Sequence, residues 1–290
     1  LSLANCWLLS VMAGFRDRNA CGASLVNDGA HFTEDLPGST RDVAVKTLQG
    51  HGPIMHLSNR DGALDLLKWL ALLSMLLDHL RYVGFSVDWL YVPGRLAFPW
   101  FCLAMAANLD RAGARKTEWR YLGWLLLFSL VSEIPYRLYI PDPDTLNVMP
   151  TLALGLLVAR GWQDRALASR LLGAGALLLS ALFSERLMFG FFGVLLPLAT
   201  LWVIRRPWYF AVLPGLVCLA ANQWRVLFES ARFGNELAIF GLIICLIAPL
   251  LGMLLLRHAQ TAKPPPMRRW AYALYPGHFL LLLLIRQIAA

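Results

Sequence analysis

Charged residues are scarce in this sequence. Asp, Glu, Lys and Arg make up 15% of its 290 residues, whereas globular proteins carry about 25%. Hydrophobic residues make up 58%, the mean hydropathy is +0.56, and one soluble core cannot bury that surplus. A membrane-spanning helix needs about 20 apolar residues, and apolar runs recur along most of the chain. The composition therefore excludes soluble enzyme folds and predicts an all-α polytopic membrane protein.

Cysteine is also scarce, and no two cysteines stand in a CxxC pattern. The five are Cys6, Cys21, Cys102, Cys218 and Cys245. Their spacing indicates neither a disulfide framework nor a zinc site, so we expect no metal. The formal net charge of +8 is spread over successive loops rather than gathered in one patch. We therefore expect the protein to lie in the lipid bilayer and not to bind nucleic acid.

The first 60 residues lack a lasting hydrophobic period. Gly, Asn, Asp and Thr are scattered through residues 1–60, which predicts a disordered tract. The chain begins with Leu, and a start at Met55 would remove nearly all of this tract. Our hypothesis is that the tract is not native, and N-terminal sequencing of the native product tests it. Residues 61–290 are expected to form a single helical transmembrane domain.

About nine apolar segments follow from Leu64 onward, although several are short and eight spans remain open. The segments are 64–84, 90–109, 120–140, 146–160, 167–183, 188–204, 207–222, 236–256 and 270–288. With nine spans, the even-numbered loops and the segment ends beside them hold 13 basic residues, and the odd-numbered loops and their adjoining segment ends hold six. Because basic residues favour the cytoplasmic side, this alternation predicts the N-terminus inside and the C-terminus outside.

Placing an ionisable side chain at the centre of a membrane-spanning helix costs roughly 2.5–3.5 kcal/mol of insertion free energy. Each such residue within a predicted span therefore calls for a structural or functional reason. Five successive segments place polar residues at one depth near the outer face: Asp78 and His79, Arg95, Glu133, Asn147, and Glu185. We expect them to line a polar cavity open to the outer face. Taken singly, Arg95 and Glu185 could be interfacial, and Asn147 could cap its helix.

The last segment contains His278, within YALYPGHFLLLL, and we expect this histidine near the middle of the membrane. Tyr275 and His278 are three residues apart and share a helix face, and Pro276 predicts a kink beside them. Asp78 and His79 are adjacent, so their side chains point about 100° apart and do not form a dyad. An orienting partner for His79 must come from another span. The candidates at its depth are Glu133, Glu185 and Arg95.

These residues stand in segments that together resemble the TraX family of conjugative pilin acetylases, which includes the TraX-like TrbP proteins of conjugative plasmids. The matching segments are LKWLALLSMLLDH, GRLAFPWFCLAMA, SEIPYRLY, LNVMPTLALGLL, FGFFGVLLPLA and YALYPGHFLLL, covering about residues 64–288. Asp78, His79, Arg95 and His278 match polar motif positions of the family. The family tends to show an acidic residue followed by Tyr-Gly where this chain has Glu185, Arg186 and Leu187, which leaves the role of Glu185 open.

The resemblance implies a multi-pass protein of the bacterial inner (cytoplasmic) membrane that transfers an acetyl group from acetyl-CoA to the N-terminal amine of a pilin or another membrane-held amine. Acetyl transfer needs a base for the amine and donors for the oxyanion. We expect His79 as base or transient acetyl carrier, Arg95 as charge stabiliser, His278 as second acid or base, and Asp78 beside them. Glu133, Asn147, Glu185 and Tyr275 are the expected substrate-binding residues. Two other functions remain open, a small-solute transporter and a non-catalytic pilus assembly factor.

Overall fold

The computed structural model of the protein describes residues 62–84, 87–112, 118–140, 143–267 and 270–289. Every regular element within these ranges is a helix, which confirms the predicted all-α class. The described residues belong to one compact unit, Asn59–Ala290. The tract predicted to be disordered, 1–60, and the hypothetical start at Met55 lie outside the described residues.

The α-helices of the described ranges are numbered here in chain order. They are α1 (Gly62–Leu80), α2 (Tyr91–Gly94), α3 (Ala97–Ala112), α4 (Glu118–Tyr139), α5 (Val148–Gln163), α6 (Leu167–Leu182), α7 (Gly190–Val203), α8 (Val212–Ala221), α9 (Trp224–Arg232), α10 (Glu236–His258) and α11 (Ala271–Ala289). Short 3₁₀ helices lie between several of them: Arg81–Val83, Asp88–Leu90, Ser184–Arg186 and Trp208–Ala211. The nine apolar segments predicted from the sequence thus all coincide with helices.

Three stretches in the described ranges are long and apolar enough to cross a membrane: Asp88–Ala112, Glu236–His258 and Ala271–Ile288. A fourth is counted if α8 and α9, which meet at a bend of 85°, form one broken span. Helices α5, α6 and α7 have only 16, 16 and 14 residues, shorter than the roughly 20 that a straight span needs. These helices indicate a membrane protein, while the count of nine spans and the orientation of the termini stay predictions.

Helix α3 lies at the centre of the bundle. It packs against α1, α7 and α10, and small side chains such as Ala104 and Ala106 let these neighbours approach closely. The buried Trp100 indole donates a hydrogen bond to the carbonyl of Ala248 in α10, at 2.9 Å. A second group, α4, α5 and α11, packs beside this centre. The polar residues Asp78, His79 and Arg95 lie near the ends of α1 and α3.

Large apolar side chains cover the outside of the bundle. Leu130 and Ile134 on α4 are 76% and 69% exposed, and Leu182 on α6 is 71% exposed. A water-soluble monomer rarely exposes apolar surface of this extent. The exposed leucines and isoleucines are therefore the surface that would contact lipid.

Candidate functional site

Arg95 links three elements that are distant in the sequence. It lies between α2 and α3, and its Nη2 donates to Oδ2 of Asp78 near the end of α1, at 3.0 Å. Its Nη1 donates to Oδ1 of Asn222, at 2.8 Å. Asn222 lies at the break between α8 and α9, where Gln223 adopts a left-handed conformation with φ of 53°. The planar guanidinium thus holds a carboxylate and an amide in a fixed relative position.

A second arginine completes the charge cluster. Arg81 lies one turn after Asp78, and its Nη2 is 3.0 Å from Oδ1 of that carboxylate. Both guanidinium groups stand over the ring of Tyr91, Arg95 at 4.3 Å and Arg81 at 5.1 Å from the ring centroid. One carboxylate therefore bridges two cations, and the aromatic ring supports both of them through cation–π contact.

Close packing between α1 and α2 fixes the Asp78 side chain. A methyl group placed on Gly94 would lie 2.5 Å from Cβ and 2.6 Å from Oδ1 of Asp78. Only a residue without Cβ fits between the two helices at this level. Gly94 is therefore part of the support for the pairing of Asp78 with Arg95.

His79 and His278 form a direct pair. Nδ1 of His79 is 2.8 Å from Nε2 of His278, and the ring planes are inclined by only 18°. Nδ1 of His278 lies 3.3 Å from the carbonyl oxygen of Leu274, which can only accept a hydrogen bond.

These contacts assign the tautomers of the neutral pair. Nδ1 of His278 carries the hydrogen that it donates to Leu274, so Nε2 of His278 accepts. Nδ1 of His79 must then donate to that nitrogen, which leaves Nε2 of His79 with a lone pair. No hydrogen bond to this Nε2 is formed within the described part of the chain. The pair thus presents one basic nitrogen, and it belongs to His79.

Two neighbours hold the His79 backbone and ring in place. The buried hydroxyl of Tyr139 donates to the carbonyl oxygen of His79 at 2.6 Å. The ring of Phe279 lies 5.0 Å from the His79 ring and 4.0 Å from the His278 ring, measured between centroids. The histidine pair therefore lies in an aromatic setting rather than in open solvent.

Glu133 and Asn147 form a separate polar cluster. The Asn147 side chain is fully buried and caps α5, because its Oδ1 accepts from the amide of Met149 at 3.0 Å. Its Nδ2 donates to Oε2 of Glu133 at 2.7 Å and to the carbonyl oxygen of Ser129 at 2.8 Å. Glu133 also pairs with Arg137, at 2.7 Å. These contacts are typical of a helix cap, and neither residue lines the cavity described next.

A cavity of about 420 Å³, the His79 cavity, opens beside the charge cluster. Asp78, His79, Arg95 and Tyr275 are the predicted site residues that line it, and Arg81, Tyr91 and Asn222 contribute as well. Its volume falls within the range of small-molecule sites. The exposed Gln223 also lines it, at the break between α8 and α9.

Glu185 lies away from this cavity. It is exposed in the 3₁₀ helix Ser184–Arg186, which follows α6, and it does not contribute to the wall. Its neighbours Met188 and Phe189 do line the cavity. Phe189 adopts φ of 67°, so the chain turns sharply at this point and presents apolar side chains to the cavity instead of the carboxylate.

A second cavity of about 380 Å³, the Lys68 cavity, lies toward the other end of α1. Lys68 and Asp78 are ten residues apart, which corresponds to about 15 Å along the helix. The two cavities share four wall residues, Met75, Phe101, Val148 and Tyr275. The hydroxyl of Tyr275 accepts a hydrogen bond from the Val148 amide at 3.2 Å, so a bonded pair stands between the two cavities.

Sequence reasoning missed several contributors. The orienting partner of His79 is His278, whereas the sequence indicates Glu133, Glu185 and Arg95 as candidates. Asn222 is a further contributor, and its signal in the sequence is a polar residue at the end of an apolar segment. Arg81 is another, because its pairing with Asp78 depends on how the last turn of α1 is placed.

A comparison with known protein families gives one result. A family model described as TraX protein matches residues 63–286. No curated protein and no solved structure matches the chain.

Proposed function

Because the chain belongs to the TraX family, we propose that it is an integral membrane acetyltransferase, which uses acetyl-CoA to acetylate the N-terminal amine of a membrane-held pilin subunit during conjugative transfer. The observation that carries the proposal is the contact of His79 with His278 and of His278 with the Leu274 carbonyl, from which we assign Nε2 of His79 as a hydrogen-bond acceptor beside a cavity. Acyl transfer to an amine needs such a base.

In the proposed reaction the amine nitrogen attacks the carbonyl carbon of the thioester. Nε2 of His79 takes a proton from that nitrogen, and Nδ1 of His79 continues to donate to His278. The carbon–sulfur bond then breaks, and the imidazolium returns the proton to the leaving sulfur. The products are the amide and free coenzyme A. Within this scheme His79 acts as the base, and His278 acts on it as a positioning residue.

Arg95 is the proposed charge-stabilising group. Two of its nitrogens hold Asp78 and Asn222, and its buried Nε has no hydrogen-bond partner within the described residues. A cationic donor close to the base stabilises the oxyanion that develops on the thioester oxygen. Asp78, shared with Arg81, fixes the direction of the guanidinium and balances part of its charge.

We place the protein in the bacterial inner membrane with nine spans, the N-terminus inside and the C-terminus outside. The support is the excess of basic residues in alternate loops. In that orientation the His79 cavity opens to the outer face, where the amine of a membrane-held pilin subunit would enter. A reporter fused after Ala290 tests the orientation, and activity of that reporter only in the cytoplasm would contradict it.

A small-solute transporter is the second candidate, because two cavities placed end to end also fit alternating access. A transporter needs no base with a fixed tautomer, so the histidine pair favours the enzyme. Purified protein in lipid nanodiscs, incubated with acetyl-CoA and a peptide that carries the pilin N-terminus, separates the two. The enzyme adds one acetyl group to the peptide, whereas a transporter leaves its mass unchanged.

A further inference from the structure

The Lys68 cavity has no role in the chemistry described so far, although it shares four wall residues with the His79 cavity. Met75, Phe101, Val148 and Tyr275 form this shared wall. The exposed Asn108 lines the Lys68 cavity at the end of α3, and the exposed Gln223 lines the His79 cavity at the opposite end of the bundle. The two cavities therefore approach His79 from different sides of the protein.

The wall of the Lys68 cavity is apolar with a few polar groups. Leu72, Met105, Leu125 and Leu152 supply the apolar surface. The Tyr121 and Tyr272 hydroxyl groups form no hydrogen bond within the described part of the chain. Tyr272 is held by stacking on Phe128, with ring centroids 5.6 Å apart. These two hydroxyl groups are therefore available to hydrogen-bond a ligand, and the apolar wall suits a ligand that is narrow and uncharged.

An ion pair stands at one end of this cavity. Lys68 is the cationic residue of its described wall, and its ammonium group pairs with Asp65 at 3.5 Å. The segment before α11 also contributes, through Met267. This segment is anchored on α1, because the Trp69 indole donates to the carbonyl oxygen of Pro265 at 2.9 Å. The cavity therefore combines an apolar interior with one polar end, where the Lys68 ammonium group lies.

We propose that the Lys68 cavity is a separate donor site, which binds the acyl-bearing arm of a coenzyme A thioester. That arm is long, narrow and uncharged, and its amide and hydroxyl groups match Asn108, Tyr121 and Tyr272. The phosphates at the other end of the molecule are anionic and would remain outside, near Lys68. This assignment rests on the proposed acetyltransferase function.

The shared wall then separates the donor from the base. The thioester carbonyl would lie against Met75 and Tyr275, with Nε2 of His79 on the other side. Methionine is flexible, and one hydrogen bond between Tyr275 and Val148 holds the aromatic ring. Displacement of these two side chains would bring the carbonyl to the amine without opening the whole bundle.

The test measures equilibrium binding of acetyl-CoA to the purified full chain in nanodiscs, together with the KM for acetyl-CoA and for the acceptor peptide. Ala104→Leu fills the cavity, since Ala104 lies in its wall and is buried. Tyr272→Phe removes one hydroxyl without changing the packing. Tyr209→Phe is the matched control, because Tyr209 is exposed and lies in neither wall.

We expect Ala104→Leu to raise the Kd of acetyl-CoA about tenfold or more. Tyr272→Phe should raise it about three- to tenfold, because one hydrogen bond is lost. The KM for the peptide should stay unchanged, and Tyr209→Phe should bind acetyl-CoA as wild type does. Unchanged Kd values in Tyr272→Phe and in folded Ala104→Leu would overturn the donor site, as would failure of the wild type to bind acetyl-CoA. A third outcome separates the two proposals. If the wild type binds acetyl-CoA, Ala104→Leu weakens that binding, and the wild type acetylates no peptide, the donor site is supported and the proposed function is contradicted.

Discussion

His79 and His278 are 199 residues apart in the chain, yet their ring nitrogens approach to 2.8 Å. The carbonyl oxygen of Leu274 accepts from Nδ1 of His278, so the hydrogen bonds are donated in one direction, from His79 to His278 and from His278 to Leu274. This direction gives the two histidines different roles. His79 presents the lone pair, and His278 keeps the tautomer that makes it available.

Substitution of His278 tests this division of roles. His278→Gln keeps a side-chain oxygen that can accept from Nδ1 of His79, whereas His278→Leu removes the acceptor. We expect His278→Leu to lower kcat about tenfold or more with little change in KM, and His278→Gln to recover part of that loss. Steady-state kinetics of both variants provide the measurement. Equal loss in both would show that His278 does not act through this hydrogen bond.

The Arg95 guanidinium is expected to be irreplaceable by lysine. A lysine ammonium can approach Asp78 or Asn222, but it cannot hold both in the planar geometry seen here. We expect Arg95→Lys to lose acetyl transfer almost as completely as Arg95→Ala. Product formation by the two variants, at matched abundance, is the measurement. A nearly normal lysine variant would reduce Arg95 to an interfacial anchor.

Gly94→Ala is expected to displace Asp78 from Arg95, because the added methyl group would lie 2.5 Å from Cβ of Asp78. Overpacking of this kind costs about 1–3 kcal/mol. We expect lower thermal stability and reduced acetyl transfer per folded molecule. The matched control is Gly123→Ala in α4, where nothing lies within 4 Å of the new methyl group and helix propensity improves. Similar behaviour of the two variants would contradict the account of Gly94.

Asn147→Ala tests whether this residue supports the fold or binds substrate. Loss of an N-cap costs about 0.5–2 kcal/mol. Asn147 also donates to Glu133 and Ser129, so its removal should cost about 1–3 kcal/mol more. Asn235→Ala is the control, since Asn235 caps α10 from an exposed position through the amide of Ala238. We expect a larger fall in melting temperature for Asn147→Ala, with an unchanged KM for the peptide. A raised KM would instead assign Asn147 to substrate binding.

Much of the fold follows from the sequence. Each apolar segment is a helix, because long apolar runs bounded by charged loops leave few alternatives. The depth argument brought Asp78, His79 and Arg95 to one level, where they line one cavity. Depth along a helix follows from residue number alone, since each residue advances the chain by about 1.5 Å.

The remainder depends on how the helices rotate and pack. Residue number does not give the direction in which a side chain points between neighbouring helices, so the pairing of His79 with His278 was not foreseen. Glu185 lies in the 3₁₀ helix after α6, which leaves it exposed and outside the wall of the His79 cavity. The hydrogen bonds of Asn147 are used by Glu133 and by the start of its own helix.

Intact-mass spectrometry of the cognate pilin tests the central claim most directly. Pilin would be isolated from cells that carry the wild-type protein, the His79→Ala variant at matched membrane abundance, or neither. The account predicts one added acetyl group with the wild type and an unmodified N-terminus in the other two. Unmodified pilin in all three, or full acetylation with His79→Ala, would contradict it.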